Sequence, residues 1–167
     1  MRSIVLIGMP GSGKSTFGRR AAARLSMPFI DLDTFIEERE GRSIPSLFAE
    51  SEDRFRKAET EAAAAALSRE GCVIASGGGF VTRQANRRLL RERGFAIFID
   101  RAPGEIAGDI AIAGRPLLAA GPERVYALYE ERIRLYRQAA DAVLSNTGKE
   151  EDVLDALVRL MRSLPRL

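Results

Sequence analysis

The segment Gly8-Met-Pro-Gly-Ser-Gly-Lys-Ser15 decides the fold of this chain. It fits the pattern G-x-x-x-x-G-K-[ST], in which a closely wrapped backbone and a lysine surround the phosphates of a nucleotide. The apolar, β-branched run Ser3–Ile7 precedes it, and a helical pattern over 15–25 follows it, which is the context that the motif requires. The sequence therefore predicts a phosphate-binding loop between a buried strand and a helix.

This loop predicts how a purine nucleoside triphosphate such as ATP is held. The ammonium of Lys14 reaches the β- and γ-phosphates, and the Ser15 hydroxyl is a direct ligand of Mg²⁺. The predicted ATP-binding residues of the loop are Gly11, Ser12, Gly13, Lys14, Ser15 and Thr16. The loop alone indicates nucleotide binding and leaves kinase, hydrolase and switch open.

Composition excludes several classes of chemistry. The 167 residues include no histidine and a single cysteine, so Ser-His-Asp and Cys-His catalysis, intrachain disulfides and His- or Cys-ligated metals are excluded. A metal must be hard and bound by oxygen, with magnesium first. The net charge of +3 is too small to indicate nucleic acid, and no apolar run approaches the roughly 18 residues of a membrane span. We expect a cytoplasmic protein that binds neither nucleic acid nor membrane.

Strand and helix patterns alternate along the chain. This order predicts one α/β domain over 1–167, three layers deep, with a five-stranded parallel sheet between helices. Besides Ser3–Ile7, the predicted strands are 28–33, 72–75, 95–100 and 143–144. The stretch 108–121, rich in Ala, Gly and Pro, predicts a mobile lid.

Candidate catalytic side chains follow the predicted strands. Asp31 and Asp33 stand two apart at the end of an extended segment, so both can point to one side as partners of a magnesium-bound water and an acceptor hydroxyl. Helix capping by Asp33 is the alternative. Asp100 also ends a strand and ranks below Asp31. Gly77–Gly79 predicts either a ligand against bare backbone or a tight turn.

Arginines near these positions are candidate anion ligands. Arg56 and Glu59 share a helix face, either as a surface pair or with Glu59 orienting a buried Arg56. Arg115 lies in the predicted lid, where it could close on a γ-phosphate. Arg132 and Arg134 are two apart on a helix, so only one of them is expected to enter a given site.

Six segments, in the right order over roughly 140 residues, make the chain resemble the shikimate kinase family. They are GMPGSGKSTFGRR, FIDLDTFIEEREGRSIPSLFAE, FRKAE, ASGGGFV, RPLL and ERIRLYRQAAD. The resemblance implies a P-loop NTPase fold of the nucleoside monophosphate kinase type. It also implies transfer of the ATP γ-phosphoryl group to the 3-hydroxyl of shikimate, which gives shikimate 3-phosphate and ADP. The partners would be shikimate, ATP and one Mg²⁺, on a monomer.

The resemblance also implies roles for individual residues. Asp33 binds the shikimate hydroxyls and is the proposed base, and Asp31 holds magnesium through water. Catalysis is expected from Lys14, Asp33 and Arg115, with Arg115 touching the phosphates. The remaining substrate-binding residues are Arg56 and Arg132, which clamp the carboxylate, and the backbone of Gly78 and Gly79. Arg132 is chosen over Arg134 because it holds the first position of the motif.

One departure from the family concerns the lid. Many members carry another arginine several residues before RPLL, near the adenine, and 104–114 contains none here. Adenine packing would then be weaker, or it would use Arg101 or the loop 146–149. The alternatives are another small-molecule kinase of this fold, for gluconate or a nucleotide, and a kinase-like ligand sensor without turnover. A nucleotide-hydrolysing switch is not favoured, because the catalytic Gln or His of such a protein is missing from this sequence.

Overall fold

The computed structural model describes residues 2–113 and 121–164, and within them five parallel strands form one sheet. The strands are β1 Ser3–Ile7, β2 Phe29–Asp31, β3 Val73–Ala75, β4 Gly94–Asp100 and β5 Ala142–Ser145. They lie in the order β2-β3-β1-β4-β5, and every neighbouring pair is parallel. The chain order reverses beside β1, which places a crevice at the carboxyl end of that strand.

Eight α-helices cover the described sheet. They are α1 Lys14–Arg24, α2 Leu32–Glu40, α3 Ile44–Glu50, α4 Glu52–Leu67, α5 Gln84–Arg93, α6 Pro103–Ala113, α7 Pro122–Ala139 and α8 Glu150–Ser163. A short 3₁₀ helix, Phe80–Thr82, precedes α5. Within the described ranges, no helix has both the length and the hydropathy to cross a bilayer.

The strands are apolar on both faces because helices pack on each. In β1, Val5 and Ile7 join one core cluster with α4 and α7, whereas Ile4 and Leu6 join another with α1 and α8. Alternate residues of a strand point to opposite faces, so this division is the direct consequence of the two-residue period. The predicted three-layer architecture with its five-stranded parallel sheet is confirmed.

Helix starts follow local capping. The Ser43 hydroxyl accepts the N–H of Ser46 at 3.3 Å at the start of α3, and the Ser51 hydroxyl accepts the N–H of Arg54 at 3.0 Å at the start of α4. The strand predicted over 28–33 is wrong at its end, since β2 stops at Asp31 and α2 begins at Leu32. Of the predicted lid 108–121, residues 108–113 complete α6, and 114–120 lie outside the described residues.

Candidate active site

The loop between β1 and α1 wraps around the N-terminus of α1. Gly11 and Gly13 have φ values of 79° and 96°, in the left-handed region that glycine adopts without strain. No side chain caps α1, so the N–H groups of its first turn are left for a ligand at the positive end of the helix dipole. This local structure suits an anion such as a phosphate group.

Lys14 is buried inside this loop. Its ammonium donates to the carbonyl oxygens of Gly8 at 2.9 Å and Met9 at 2.7 Å. Burial lowers the pKa of Lys14 to about 8, against the opposing charges of Asp33 and Asp31. The lysine is therefore held beside the loop's centre by carbonyl groups that a phosphate oxygen can replace.

Ser12 does not reach the surface of the cleft. It is fully buried, its N–H donates to the Met9 carbonyl at 3.1 Å, and its own carbonyl accepts from Asn146 Nδ2 at 2.9 Å. In this arrangement Ser12 shapes the loop, while Gly11, Gly13, Lys14, Ser15 and Thr16 line the cleft.

Asp31 joins the loop to the start of α2. The Ser15 hydroxyl donates to Asp31 Oδ2 at 2.6 Å, and Asp31 Oδ1 accepts the N–H groups of Asp33 at 3.1 Å and Thr34 at 3.5 Å. The capping residue of α2 is therefore Asp31 rather than Asp33. A serine hydroxyl and a carboxylate suit Mg²⁺, which takes few protein ligands and is completed by water and phosphate. No cluster of three or more His, Cys, Asp or Glu that could hold a metal occurs in 2–113 and 121–164.

Asp33 lies in the first turn of α2 and faces the cleft. Protein surrounds the carboxyl group, and this desolvation raises the pKa of Asp33, with a further rise from the charge of Asp31. Lys14 and Arg56 act in the opposite direction. A carboxylate between a lysine and an arginine can accept a hydrogen bond from a hydroxyl group of a ligand.

Arg56 and Glu59 form a buried pair on α4. Arg56 Nη1 donates to Glu59 Oε2 at 2.9 Å, and Glu59 is completely buried. Of the two alternatives, the structure has the one in which Glu59 orients a largely buried Arg56. Burial raises the pKa of Glu59 and the Arg56 charge lowers it, while Glu59 Oε1 has no hydrogen-bond partner in the described part of the chain.

The three glycines after β3 lie against these side chains. A Cβ atom on Gly77 would lie 3.0 Å from Glu59 Oε1 and 3.2 Å from Asp33 Oδ1. On Gly79 it would collide with the Arg56 guanidinium, and on Gly78 it would lie 2.5 Å from Cδ of Pro10. None of the three has a positive φ. The glycines therefore let side chains of α2, α4 and the phosphate loop approach the backbone closely, within a turn that follows β3. A ligand against this backbone stays a prediction.

Arg132 enters the same cleft from α7. Its side chain is largely buried, and its Nε has no hydrogen-bond partner among the described residues. Arg134 is exposed and does not line the cleft. Arg132 is thus the arginine of the pair that lines the cleft, and its contact with a ligand stays a prediction.

These elements enclose one cleft of about 1110 Å³ at the carboxyl ends of β1, β2 and β3. The phosphate loop forms one end, and Phe48, Phe55, Arg56 and Arg132 line the other. Arg115 lies outside the described residues, so its role stays a prediction. Asp100 does not line the cleft and accepts a hydrogen bond from the Tyr129 hydroxyl at 3.2 Å.

The two predicted adenine contacts both border the loop. Arg101 donates to the Gly11 carbonyl at 3.0 Å and pairs with Asp109 at 2.7 Å, and Asn146 lies beside Gly13. Sequence reasoning missed Tyr136, whose hydroxyl donates to the Gly78 carbonyl. Its only signal was its position in the RxxxY part of ERIRLYRQAAD.

The strand order and the loop define the class of protein: a P-loop kinase with the topology of the nucleoside monophosphate kinases, in which nucleotide and acceptor share a cleft. Solved structures share this topology. A gluconokinase from Sinorhizobium meliloti, 19% identical, covers 96% of this chain and 95% of its own with a TM-score of 0.60, a likeness of fold alone. A shikimate kinase from Acinetobacter baumannii in complex with shikimate is 32% identical over 98% of this chain and 94% of its own, with a TM-score of 0.88.

The chain belongs to the shikimate kinase family. The family model for shikimate kinase matches residues 10–162. A shikimate kinase from Clostridium beijerinckii is 47% identical over 155 residues, which cover 92% of this chain and 91% of that protein. The chain is accordingly an ATP-dependent kinase, as the motifs predicted.

Proposed function

We propose that this protein transfers the γ-phosphoryl group of ATP to the 3-hydroxyl of shikimate. One observation carries the choice of acceptor: Arg56 and Arg132, from different helices, line the cleft that also holds Lys14 and Asp33. Two guanidinium groups match a carboxylate, whereas Asp33 matches hydroxyl groups. Shikimate carries both kinds of group.

The acceptor end is prepared for a charged ligand. Among the described residues, the Nε of Arg132 has no hydrogen-bond partner and only Glu131 Oε1, at 3.9 Å, as an ion-pair partner. Glu59 holds Arg56 in place through a hydrogen bond. Because a buried donor without a partner costs free energy, a ligand carboxylate that satisfies it binds more tightly than a neutral analogue. This favours shikimate over uncharged polyols.

In the proposed reaction, the acceptor oxygen forms a bond to the γ-phosphorus while the bond from that phosphorus to the β–γ bridging oxygen breaks, and ADP leaves. Asp33 orients the hydroxyl and takes its proton. Lys14 stabilises the charge that develops on the phosphoryl oxygens, and Arg115 is proposed to add to it from the lid. Mg²⁺, held by Ser15 directly and by Asp31 through water, would supply further charge compensation.

The nucleotide end is proposed to hold adenine against Arg101 or against the loop 146–149. Both flank the phosphate loop, and both donate to its carbonyl groups. We further propose a monomer in the cytoplasm, where ATP is at hand. Size-exclusion chromatography with light scattering would test the monomer.

The deciding experiment measures ADP production from Mg·ATP with and without shikimate, with Lys14→Ala as the control. Turnover that requires both shikimate and Lys14 supports the proposal. A shikimate-dependent rise in melting temperature without turnover would indicate the ligand sensor instead. No response to shikimate would exclude this acceptor, and gluconate and nucleoside monophosphates would be tested next.

A further inference from the structure

The segment 78–82 has an unusual set of hydrogen bonds. Each of its five consecutive carbonyl oxygens accepts a hydrogen bond from a side chain. The donors are Tyr136 Oη to Gly78, Thr82 Oγ1 to Gly79 at 2.6 Å, Asn86 Nδ2 to Phe80 at 2.9 Å, and Arg87 Nη1 to Val81 at 2.6 Å and to Thr82 at 3.0 Å. The carbonyl side of this segment is therefore held by side chains that lie behind the cleft.

The N–H side of the glycines is left open. No hydrogen bond within 2–113 and 121–164 uses the N–H groups of Gly77, Gly78 or Gly79. A trans peptide is planar, with its C=O and N–H pointing in opposite directions. Fixing the Gly78 carbonyl toward Tyr136 therefore directs the Gly79 N–H away from Tyr136. Gly79 itself lines the cleft, against the Arg56 guanidinium.

Tyr136 is well placed for this task. Its side chain is fully buried on α7, and its ring stacks on Phe98 with 5.1 Å between ring centroids. It follows Arg132 by one helical turn, so the same turn of α7 holds both the Gly78 peptide and a cleft arginine. Burial raises the pKa of Tyr136 to about 12, against the nearby Arg132 charge, so the hydroxyl stays a donor at physiological pH.

We propose that Tyr136 is a positioning residue for the phosphoryl acceptor: its hydroxyl holds the Gly78–Gly79 peptide so that the Gly79 N–H is presented to the acceptor beside Arg56 and Arg132. The inference rests on the proposed function, because the acceptor that it positions is shikimate. A structural role alone would leave acceptor affinity unchanged in folded protein. Because Arg132 also acts on the Tyr136 hydroxyl, the Gly79 amide NMR signal is followed beside the kinetics, and its response to shikimate should be smaller in Tyr136→Phe than in wild type.

The test is Tyr136→Phe, which keeps the ring stack and removes one hydroxyl. Tyr129→Phe is the matched control, since it removes a tyrosine hydroxyl from the same helix, where the partner is Asp100 outside the cleft. We expect Tyr136→Phe to raise the KM for shikimate about five- to tenfold, the equivalent of one hydrogen bond, with the KM for ATP within about twofold of wild type. Tyr129→Phe should leave both constants within about twofold.

Three outcomes would overturn the inference: an unchanged KM for shikimate in folded Tyr136→Phe protein, an equal rise in the KM for ATP, or the same rise in Tyr129→Phe. If Tyr136→Phe does not fold, the amide NMR signal of Gly79 in the wild-type protein takes its place, with the exposed Gly41 as the control signal. Saturating shikimate should shift the Gly79 signal and not that of Gly41, and an unchanged Gly79 signal would overturn the inference. Wild-type protein without shikimate-dependent turnover would instead refute the proposed function itself.

Discussion

The Ser15 hydroxyl donates to Asp31 Oδ2 at 2.6 Å, while Oδ1 of the same carboxylate caps α2 at the Asp33 N–H. One side chain thus connects the residue proposed to bind magnesium with the helix turn that presents the proposed base. This connection fixes Ser15 relative to the first turn of α2, and positioning is the main source of rate in phosphoryl transfer.

The charge of Asp31 should also control the pH profile. Desolvation first, and then the charges of Asp31 and Glu37, raise the pKa of Asp33, so Asp33 takes up its proton at a higher pH than an ordinary aspartate. Asp31→Asn keeps an oxygen for capping and removes the charge, which lowers the pKa of Asp33. The acid limb of kcat/KM for shikimate should therefore move to lower pH.

A second variant separates this effect from metal binding. Glu37→Gln removes a charge that also raises the pKa of Asp33 and keeps the oxygen that accepts the Ile44 N–H at 2.8 Å. Its acid limb should move in the same direction by a smaller amount, measured between about pH 4.5 and 8. If the acid limb of the kcat/KM profile stays at the same pH or moves to higher pH in both variants, the electrostatic explanation is contradicted.

The lowered pKa of Lys14 predicts proton uptake on nucleotide binding. With a pKa of about 8, free Lys14 is largely neutral at pH 9 and largely charged at pH 7. The phosphates of bound ATP favour the charged form. Binding should take up close to one proton per ATP at pH 9 and only about a tenth of a proton at pH 7, and the affinity should fall as pH rises above 8.

Calorimetry in buffers of different ionisation enthalpy measures this uptake. Lys57→Met is the control, because Lys57 is exposed on α4 and does not line the cleft. It should leave the uptake unchanged. Equal uptake at pH 7 and pH 9 would show that Lys14 does not titrate in this range.

Arg56→Ala should separate acceptor binding from nucleotide binding. The loss of a charge-assisted contact is worth about 1.5–3 kcal/mol, so the KM for shikimate should rise roughly 10- to 100-fold. Since Arg56 holds down the pKa of the buried Glu59, its removal lets that carboxyl group take up a proton, which limits the damage to the fold. Arg54→Ala is the matched control, because Arg54 pairs with Glu40 away from the cleft. An equal loss of ATP affinity in Arg56→Ala would contradict the assignment.

Much of this site follows from local sequence. The phosphate loop and its flanking strand and helix are read directly from eight residues, because glycine spacing and helix polarity are local properties. The parallel sheet follows from the alternation of strands and helices, and β1 has the predicted bounds.

Other features depend on contacts that a single sequence does not contain. In Asp31-Leu-Asp33, either aspartate can cap a helix, and only the packing of α2 against β2 decides that Asp31 does. The hydroxyl of Tyr136 reaches a carbonyl 58 positions away, so no spacing rule predicts it. Likewise, the sequence leaves Arg56 and Glu59 as a surface pair or a buried pair until the packing of α4 is known.

Adjacent glycines should have different effects when each is replaced by alanine. A Cβ on Gly79 collides with the Arg56 guanidinium, which is the end of a flexible side chain, so Gly79→Ala should fold and displace Arg56 from Glu59. Its KM for shikimate should rise about tenfold, with the KM for ATP within about twofold.

On Gly78 the Cβ instead meets the rigid ring of Pro10 at 2.5 Å, in the phosphate loop. Gly78→Ala should therefore raise the KM for ATP as well and destabilise the fold by about 1–3 kcal/mol. Steady-state kinetics and urea unfolding of the two variants measure both effects. Because neither glycine has a positive φ, backbone strain does not contribute to either effect. Equal changes in both KM values and in stability for the two variants would contradict the explanation by the contacts with Arg56 and Pro10.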